Sequence, residues 1–380
     1  MNLSRKYLNE VQYARALALF GVFAVHSSST GLGGSDPSSL PFALYNFFNI
    51  AGKLGTPTFI FLSSFILFYT YYHRDLTVNL FQKFYKKRLL YILVPYIVFS
   101  VFYYVLKLNL YDTFVDFPTL ITSFLTALAT GKAHTHLYFV FVSVQFYLMF
   151  PFLLYLFKRF KFVRKYAIIL GIIIQWTWVT MNAEIFQVTA KNSIALSYFM
   201  FYFFGAFLGV YYERIAAWIH DWRKHWAVLA GIFIGYGASI FMYVGMMFMI
   251  RTQQGSYSNR LLEFAWSTHA FFAAAVIFIT VHFIQKWNVP KFKMFLTEIG
   301  AVSFGMYLIH PLFLLFLRQM LPSGEPLIFH SWQLFTFAAT FFSSWLIVRF
   351  FYEFVPHSWI VFGQGNRVFN KPRKTKEAKA

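Results

Sequence analysis

Stretches of about twenty apolar, nearly uncharged residues recur along this chain, and that recurrence restricts it more than any other feature. Ten such stretches can be read: 10–29, 45–72, 89–109, 136–157, 166–183, 194–212, 226–250, 262–284, 298–318 and 331–354. Each is long enough to cross a hydrocarbon core as a helix, which satisfies every backbone polar group within the segment. Composition agrees. Of 380 residues 59% are apolar and only 12% charged, where an ordinary soluble domain carries about 25% charged residues. A soluble globule would lack the polar groups to cover its surface. The 53 Phe exclude a disordered chain. The expected fold is an all-α integral membrane protein with about ten transmembrane helices.

The second stretch is broken by Gly52-Lys-Leu-Gly-Thr-Pro57 and reads as a short helix, a break and a span. The segment 118–130 is apolar but short and is expected at an interface or as a re-entrant piece. The first apolar segment contains Arg15 and reads as a retained helix rather than a signal peptide. Ten spans put both termini on one side. With the N-terminus cytoplasmic, the segments on that side hold 24 of the 33 Lys and Arg, including Arg5, Lys6, Lys83 to Arg88 and six residues of 367–379; the outer segments hold seven. This is the positive-inside pattern. It accounts for the net charge of +20 without invoking nucleic acid. One multi-pass domain, 1–362, is expected, followed by a basic cytoplasmic tail, 363–380, lying against anionic lipid. The longest outer segments are expected at 27–45 and 109–135. The chain has no cysteine, which removes disulfides, thiolate nucleophiles and Cys-ligated metals.

Ionisable residues inside spans default to functional hypotheses. The first span has two, Arg15 and His26. Eleven residues at about 100° each make three turns plus about 20°, so both lie on one helix face about 16 Å apart. Either alone could be an interfacial anchor. Together, with Arg towards the cytoplasm and His towards the outside, they favour function. His310 lies mid-span, where its ring could serve function or could cap a carbonyl freed by Pro311. Glu263 could be functional or simply paired with Arg260, and His136 could be an interfacial His beside Tyr138. Ser63, Ser303 and Tyr307 read first as hydrogen bonders between helices. No metal site is expected: His134-Thr-His136 would need further ligands, and His269 and His282 are not at ligand spacing. Gly31-Leu-Gly-Gly34 has no phosphate-loop pattern.

Six motifs, in order, resemble those of the membrane-bound acyltransferase family 3. Arg15, ten residues and His26 resemble its basic-residue-to-His opening. Pro57-Thr-Phe-Ile-Phe-Leu-Ser63 resembles its Pro-x-Phe-Phe-x-x-Ser stretch, and Lys87-Arg88 to Pro95-Tyr96 its approach to the third span. His136-Leu-Tyr138-Phe139, Phe203-Phe-Gly205-Ala-Phe-Leu-Gly209 and Ser303-Phe-Gly-Met-Tyr307-Leu-Ile-His310-Pro311 complete the set. Two positions depart from the family: Ser64 stands where Gly is usual and Tyr138 where Trp is usual. Within the family, the Tyr-Phe-Met-Phe-Tyr-Phe-Phe-Gly-Ala-Phe-Leu-Gly run of 198–209, leading into Tyr212-Glu213-Arg214, is most similar to the biofilm-polysaccharide, intercellular-adhesion branch.

The resemblance implies a ten-span bundle that moves an acyl group, acetyl or succinyl, from acyl-CoA to a hydroxyl of an extracytoplasmic polysaccharide or other envelope acceptor. Acetyl-CoA is the foremost donor, and no metal is needed. His26 would be the general base, a role suited to a group titrating near neutrality. Arg15, with Arg88, would meet the anionic donor. Ser63, His136, Glu263, Tyr307 and His310 are the further substrate-binding candidates. The rival is a polysaccharide exporter. A conducting path should be lined by polar groups, whereas these spans are mostly Phe, Leu, Ile and Tyr. A structural scaffold would not need Arg and His within a span.

Overall fold

The computed structural model describes residues 8–111, 116–322 and 325–365. Arg5, Lys6 and residues 366–380, which make up nearly all of the expected basic tail, lie outside the described residues. Among those described the chain is helical, without strands. Helix α1 covers Asn9–Gly33 and α2 covers Leu40–Ala51; a 3-10 turn, Gly52–Leu54, leads into α3, Gly55–Tyr71. Helices α4 (Val78–Arg88) and α5 (Val94–Leu110) form one rod through a π-helical stretch, Leu89–Leu93. Then come α6 (Phe117–Thr130), α7 (Tyr138–Arg159), the short α8 (Lys161–Lys165) and α9 (Ala167–Met181). The remainder comprises α10 (Phe199–Val210), α11 (Tyr212–His220), α12 (Trp222–Arg251), α13 (Asn259–Lys286), α14 (Pro290–Gln319), α15 (Pro326–Phe354) and the one-turn α16 (Trp359–Phe362).

Nine helices or joined helices among the described residues are long and apolar enough to cross a membrane. The stretch Ala195–Val210 and the following α11 qualify together but bend by 84°, and counting that pair as a span gives ten. The fold is thus an all-α integral membrane bundle. Local chemistry explains several boundaries. Ser39, Thr77, Asp116 and Ser258 cap the N-termini of α2, α4, α6 and α13 with side-chain oxygens. Pro95 can neither donate to the carbonyl four residues back nor pack against it. The backbone answers with a wider turn in which the Val94 N–H donates to the Leu89 carbonyl.

The outer segment expected at 27–45 is mostly helical, leaving only 34–39 as a loop. Polar residues in 27–30 hide this continuation from a hydropathy reading. Their hydroxyls fold back onto the helix, Ser28 to the Ala24 carbonyl at 2.6 Å and Ser29 to the Val25 carbonyl at 2.8 Å. Asn49 of α2 also donates to the Val25 carbonyl at 2.9 Å and ties the two helices together.

Helices α14, α13, α7, α1 and the α2–α3 pair are central, and α12 and α9 are peripheral. The most apolar stretch of α14 is 72% buried, that of α12 only 17%. One central seam explains a motif. A Cβ on Gly205 would meet the Phe61 carbonyl, and one on Gly209 would meet the Phe65 carbonyl at 2.6 Å. Glycine four residues apart therefore lets α10 lie directly on the backbone of α3. Ser64, at the position where the family has Gly, sits in this seam and donates to the Tyr202 carbonyl at 2.6 Å.

Candidate active site

The break between α2 and α3 is pressed into α1. A Cβ on Gly52 would stand 2.5 Å from the Gly21 carbonyl and 2.9 Å from a Val25 methyl; one on Gly55 would stand 2.5 Å from Val22. The carbonyl of Ala51, freed by the break, is met by His269 Nε2 of α13 at 3.1 Å. A cavity of about 720 Å³ opens beside this junction. Val22, Val25 and His26 form its α1 wall, Gly52, Lys53 and Gly55 to Pro57 its floor, and His136, Tyr138, Tyr307 and Glu263 part of its other walls. His26 is half-buried there, close to the C-terminal end of α1. Arg318 of α14 holds that end, donating to the His26 carbonyl at 2.6 Å.

Behind His26 stands a second imidazole. The rings of His26 and His310 have centroids 5.0 Å apart, and those of His310 and His136 are 5.6 Å apart. His310 is fully buried, and its Nδ1 lies 2.8 Å from the Tyr307 carbonyl. That carbonyl is the one Pro311 would have bonded had it carried an N–H. A carbonyl can only accept, so Nδ1 carries the hydrogen and Nε2 of the neutral ring is an acceptor. Nε2 has no protein partner among the described residues. Of the two readings left open for His310, the structure shows the cap, and that cap sets the tautomer the ring presents to its neighbours. Tyr307 closes the cluster by donating its hydroxyl to the His136 carbonyl at 2.5 Å. The Nδ1 atoms of His136 and His134 are 2.9 Å apart, so one donates and the other accepts.

Ion pairs organise the far wall of the cavity. Glu263 pairs with Lys191 at 2.6 Å. Arg260, the partner considered from the sequence, pairs instead with Glu184. The sequence neighbour is displaced because α13 packs beside the segment between α9 and α10, which brings Lys191 to Glu263 from 72 residues away. Tyr138 lines the cavity and donates to Thr56 Oγ1 at 3.2 Å, so the position that departs from the family pattern is a wall residue.

The structure brings His26, His136, Glu263 and Tyr307 to one cavity, with His310 immediately behind. Arg15, Arg88 and Ser63 are not part of its lining. Arg15 is half-buried, towards the opposite end of α1. Ser63 and Arg88 belong to a separate cluster: the Ser63 hydroxyl is 3.2 Å from that of Tyr147, and the Arg88 guanidinium lies 4.9 Å from the Tyr147 ring centroid. Arg349 pairs with Glu298 and Glu353, which makes it a strut between α14 and α15. No group of three or more potential metal ligands is found among the described residues. Sequence reasoning missed Lys53 and Lys191, which it counted only as topology charges. A lysine between two glycines at a helix break was the available signal.

A bundle of this kind, with a histidine-walled cavity entered beside a helix break, is matched over residues 8–349 by the family model described as an acyltransferase domain. The chain belongs to this acyltransferase 3 family. Among curated proteins it is similar to one from Staphylococcus aureus strain MRSA252, described as a probable poly-beta-1,6-N-acetyl-D-glucosamine export protein. The two are 25% identical over 269 residues, 68% of this chain and 69% of the relative. The counterpart in strain MSSA476 carries the same description and is 24% identical over the same coverage. No solved structure matches.

Proposed function

We propose that the protein transfers an acyl group from acyl-CoA to a hydroxyl of an extracytoplasmic polysaccharide, with acetyl-CoA the foremost donor and a poly-N-acetylglucosamine chain, or another envelope polymer, the acceptor. The observation that carries this reading is the His26–His310 arrangement at a cavity wide enough for a sugar. A hydroxyl is a weak nucleophile until a base takes its proton as it attacks. His26 faces the cavity and serves as that base. His310 is a positioning residue: its ring backs that of His26 at 5.0 Å between centroids, and its unpartnered Nε2 is the acceptor towards which the second His26 nitrogen turns its N–H during the reaction, leaving the cavity-facing nitrogen free to accept. The acceptor oxygen bonds to the thioester carbonyl carbon and the carbon–sulfur bond breaks. The proton passes from the hydroxyl to His26 and then to the departing CoA sulfur, so the imidazole is regenerated. Glu263, Tyr307 and His136 offer hydrogen bonds to the acceptor.

The Lys and Arg distribution supports placing the His26 end outside and both termini in the cytoplasm. The donor then approaches from the Arg15 end. Arg15 and Arg88 suit its phosphates, and the extended pantetheine arm carries the thioester towards His26. One multi-pass unit followed by a basic tail remains the proposed organisation.

The second reading, polymer export, is favoured by the description printed for the staphylococcal relatives. The two separate at His26. In proteoliposomes given acetyl-CoA and acceptor oligomer, His26→Gln should lose about 10²–10⁴-fold in transfer per folded molecule. Gln keeps polarity and volume but cannot cycle a proton. Near-native transfer by that variant, or polymer translocation by a protein that never forms an ester, would remove the transferase reading.

A further inference from the structure

Lys53 stands where a charge is expensive. It lines the cavity wall shared with His26, in the turn whose neighbour Gly52 packs against Gly21 and Val25 of α1. Buried or half-buried cations are tolerated when paired, and the other cations around this wall have found partners. Lys191 takes Glu263 and Arg260 takes Glu184. Arg251 spreads its fork over two amide oxygens, Asn46 at 2.8 Å and Asn49 at 2.7 Å. Lys53 has only the face of Tyr243, with its ammonium 5.9 Å from the ring centroid, and no carboxylate among the described residues within ion-pair distance. Asp36 and Asp116 are exposed and engaged locally, Asp36 with Ser38 in its own loop and Asp116 with the N-terminus of α6. The wall beside His26 therefore carries more positive than negative charge.

A cation–π strut would explain a lysine here only in part. The contact is at the long limit of such interactions, and it leaves the three N–H donors of a cavity-lining ammonium without a hydrogen-bond acceptor among the described residues. From this we infer that Lys53 is the recognition point for an anionic group, a carboxylate, carried by the substrate whose reacting atom lies at His26. The inference rests on the cavity being the transfer site. The carboxylate can come from either partner in the reaction: the far end of a dicarboxylic acyl chain or an acidic sugar of the acceptor.

Binding to the intact protein in nanodiscs separates these sources without requiring turnover. In the acyl arm, succinyl-CoA is compared with acetyl-CoA; in the acceptor arm, cellobiouronic acid is compared with cellobiose. Native protein should bind the acidic member of one pair about tenfold or more tightly than its neutral counterpart, as expected for a hydrogen bond to a charged group. Lys53→Met should erase that ratio and Lys53→Arg should keep it, with melting temperatures confirming folded protein. If Lys53→Met is unstable, Lys53→Gln supplies the neutral variant. The inference is overturned if native protein prefers neither acid, or if the preference survives in the neutral variant. Acetyl-CoA binding reports separately on the transferase reading. A protein that ignores acetyl-CoA yet prefers the acidic disaccharide through Lys53 would sink that reading and leave the anion site standing.

Discussion

Substitutions at His310 can divide its two tasks. In asparagine, the amide nitrogen falls near the position of imidazole Nδ1, so His310→Asn can still cap the Tyr307 carbonyl but offers nothing where Nε2 stood. In glutamine the amide reaches the Nε2 position and abandons the cap. The native cap is 2.8 Å long and fully buried. Leaving such a carbonyl unsatisfied costs about 1–3 kcal/mol, so His310→Gln should show a lowered melting temperature. Its amide oxygen stands where Nε2 did and offers His26 the same acceptor, so much of its turnover should remain. His310→Asn should melt near the native temperature yet transfer more slowly. A catalytic group misplaced by about 1 Å can lose about 10²-fold, and that is the expected deficit. Free CoA released from acetyl-CoA can be followed with a thiol reagent, since a protein with no cysteine adds no background. A double-mutant cycle supplies the sharper check. If His310 works only through His26, adding His310→Asn to His26→Gln should cause little further loss. Native turnover in His310→Asn, or multiplying losses in the double variant, would refute the orienting role.

Other outcomes follow from the packing and the electrostatics. Gly205→Ala should lower the melting temperature by an amount corresponding to about 1–3 kcal/mol of overpacking, because its methyl meets the Phe61 carbonyl, whereas Gly231→Ala on α12, with open space around it, should be neutral or stabilising. Arg88→Met should weaken acetyl-CoA binding about tenfold, with partial recovery in Arg88→Lys, since a point charge still meets phosphate without the bidentate fork; an unchanged dissociation constant would remove Arg88 from the donor site. In the turn before α7, burial, with the Lys107 and Arg318 charges adding, pushes the His134 imidazole down to about 4. The unfolded chain therefore binds a proton between about 6.5 and 4 that the folded protein does not, and stability should fall as pH drops through that window. Melting curves of His134→Asn should show a flatter acid limb; an unaltered one would show that this ring does not set it.

The spans were legible because hydrocarbon leaves the backbone little choice, and the break at Gly52 was legible because two glycines and a proline interrupt an apolar run. The end of α1 was not, since Ser28 and Ser29 satisfy their hydroxyls on the helix itself and only α2 shows why the helix persists. Of the site, the possible capping of a carbonyl freed by Pro311 could be read from two adjacent residues. That the same ring would back His26 could not, because α1 and α14 meet only in the folded bundle. Pairings across long separations, such as Lys191 with Glu263, leave no local pattern at all.

The glycine seams have a mechanical consequence. Where two backbones touch without intervening side chains, there is no rotamer to adjust and little room to slide. Helix α1, the Gly52–Leu54 turn, α3 and α10 are stacked in this way and behave as one stiff plate. Histidine 26 and Lys53 are mounted on that plate, so their spacing holds while substrates come and go. If the acceptor is a polymer, as proposed, its accommodation falls to the wall that α12 lends to the cavity through Tyr243 and Met247, since that helix is the least buried of the spans. The bundle divides into an anvil that keeps the chemistry in register and a softer jaw that can open around whatever is brought to it.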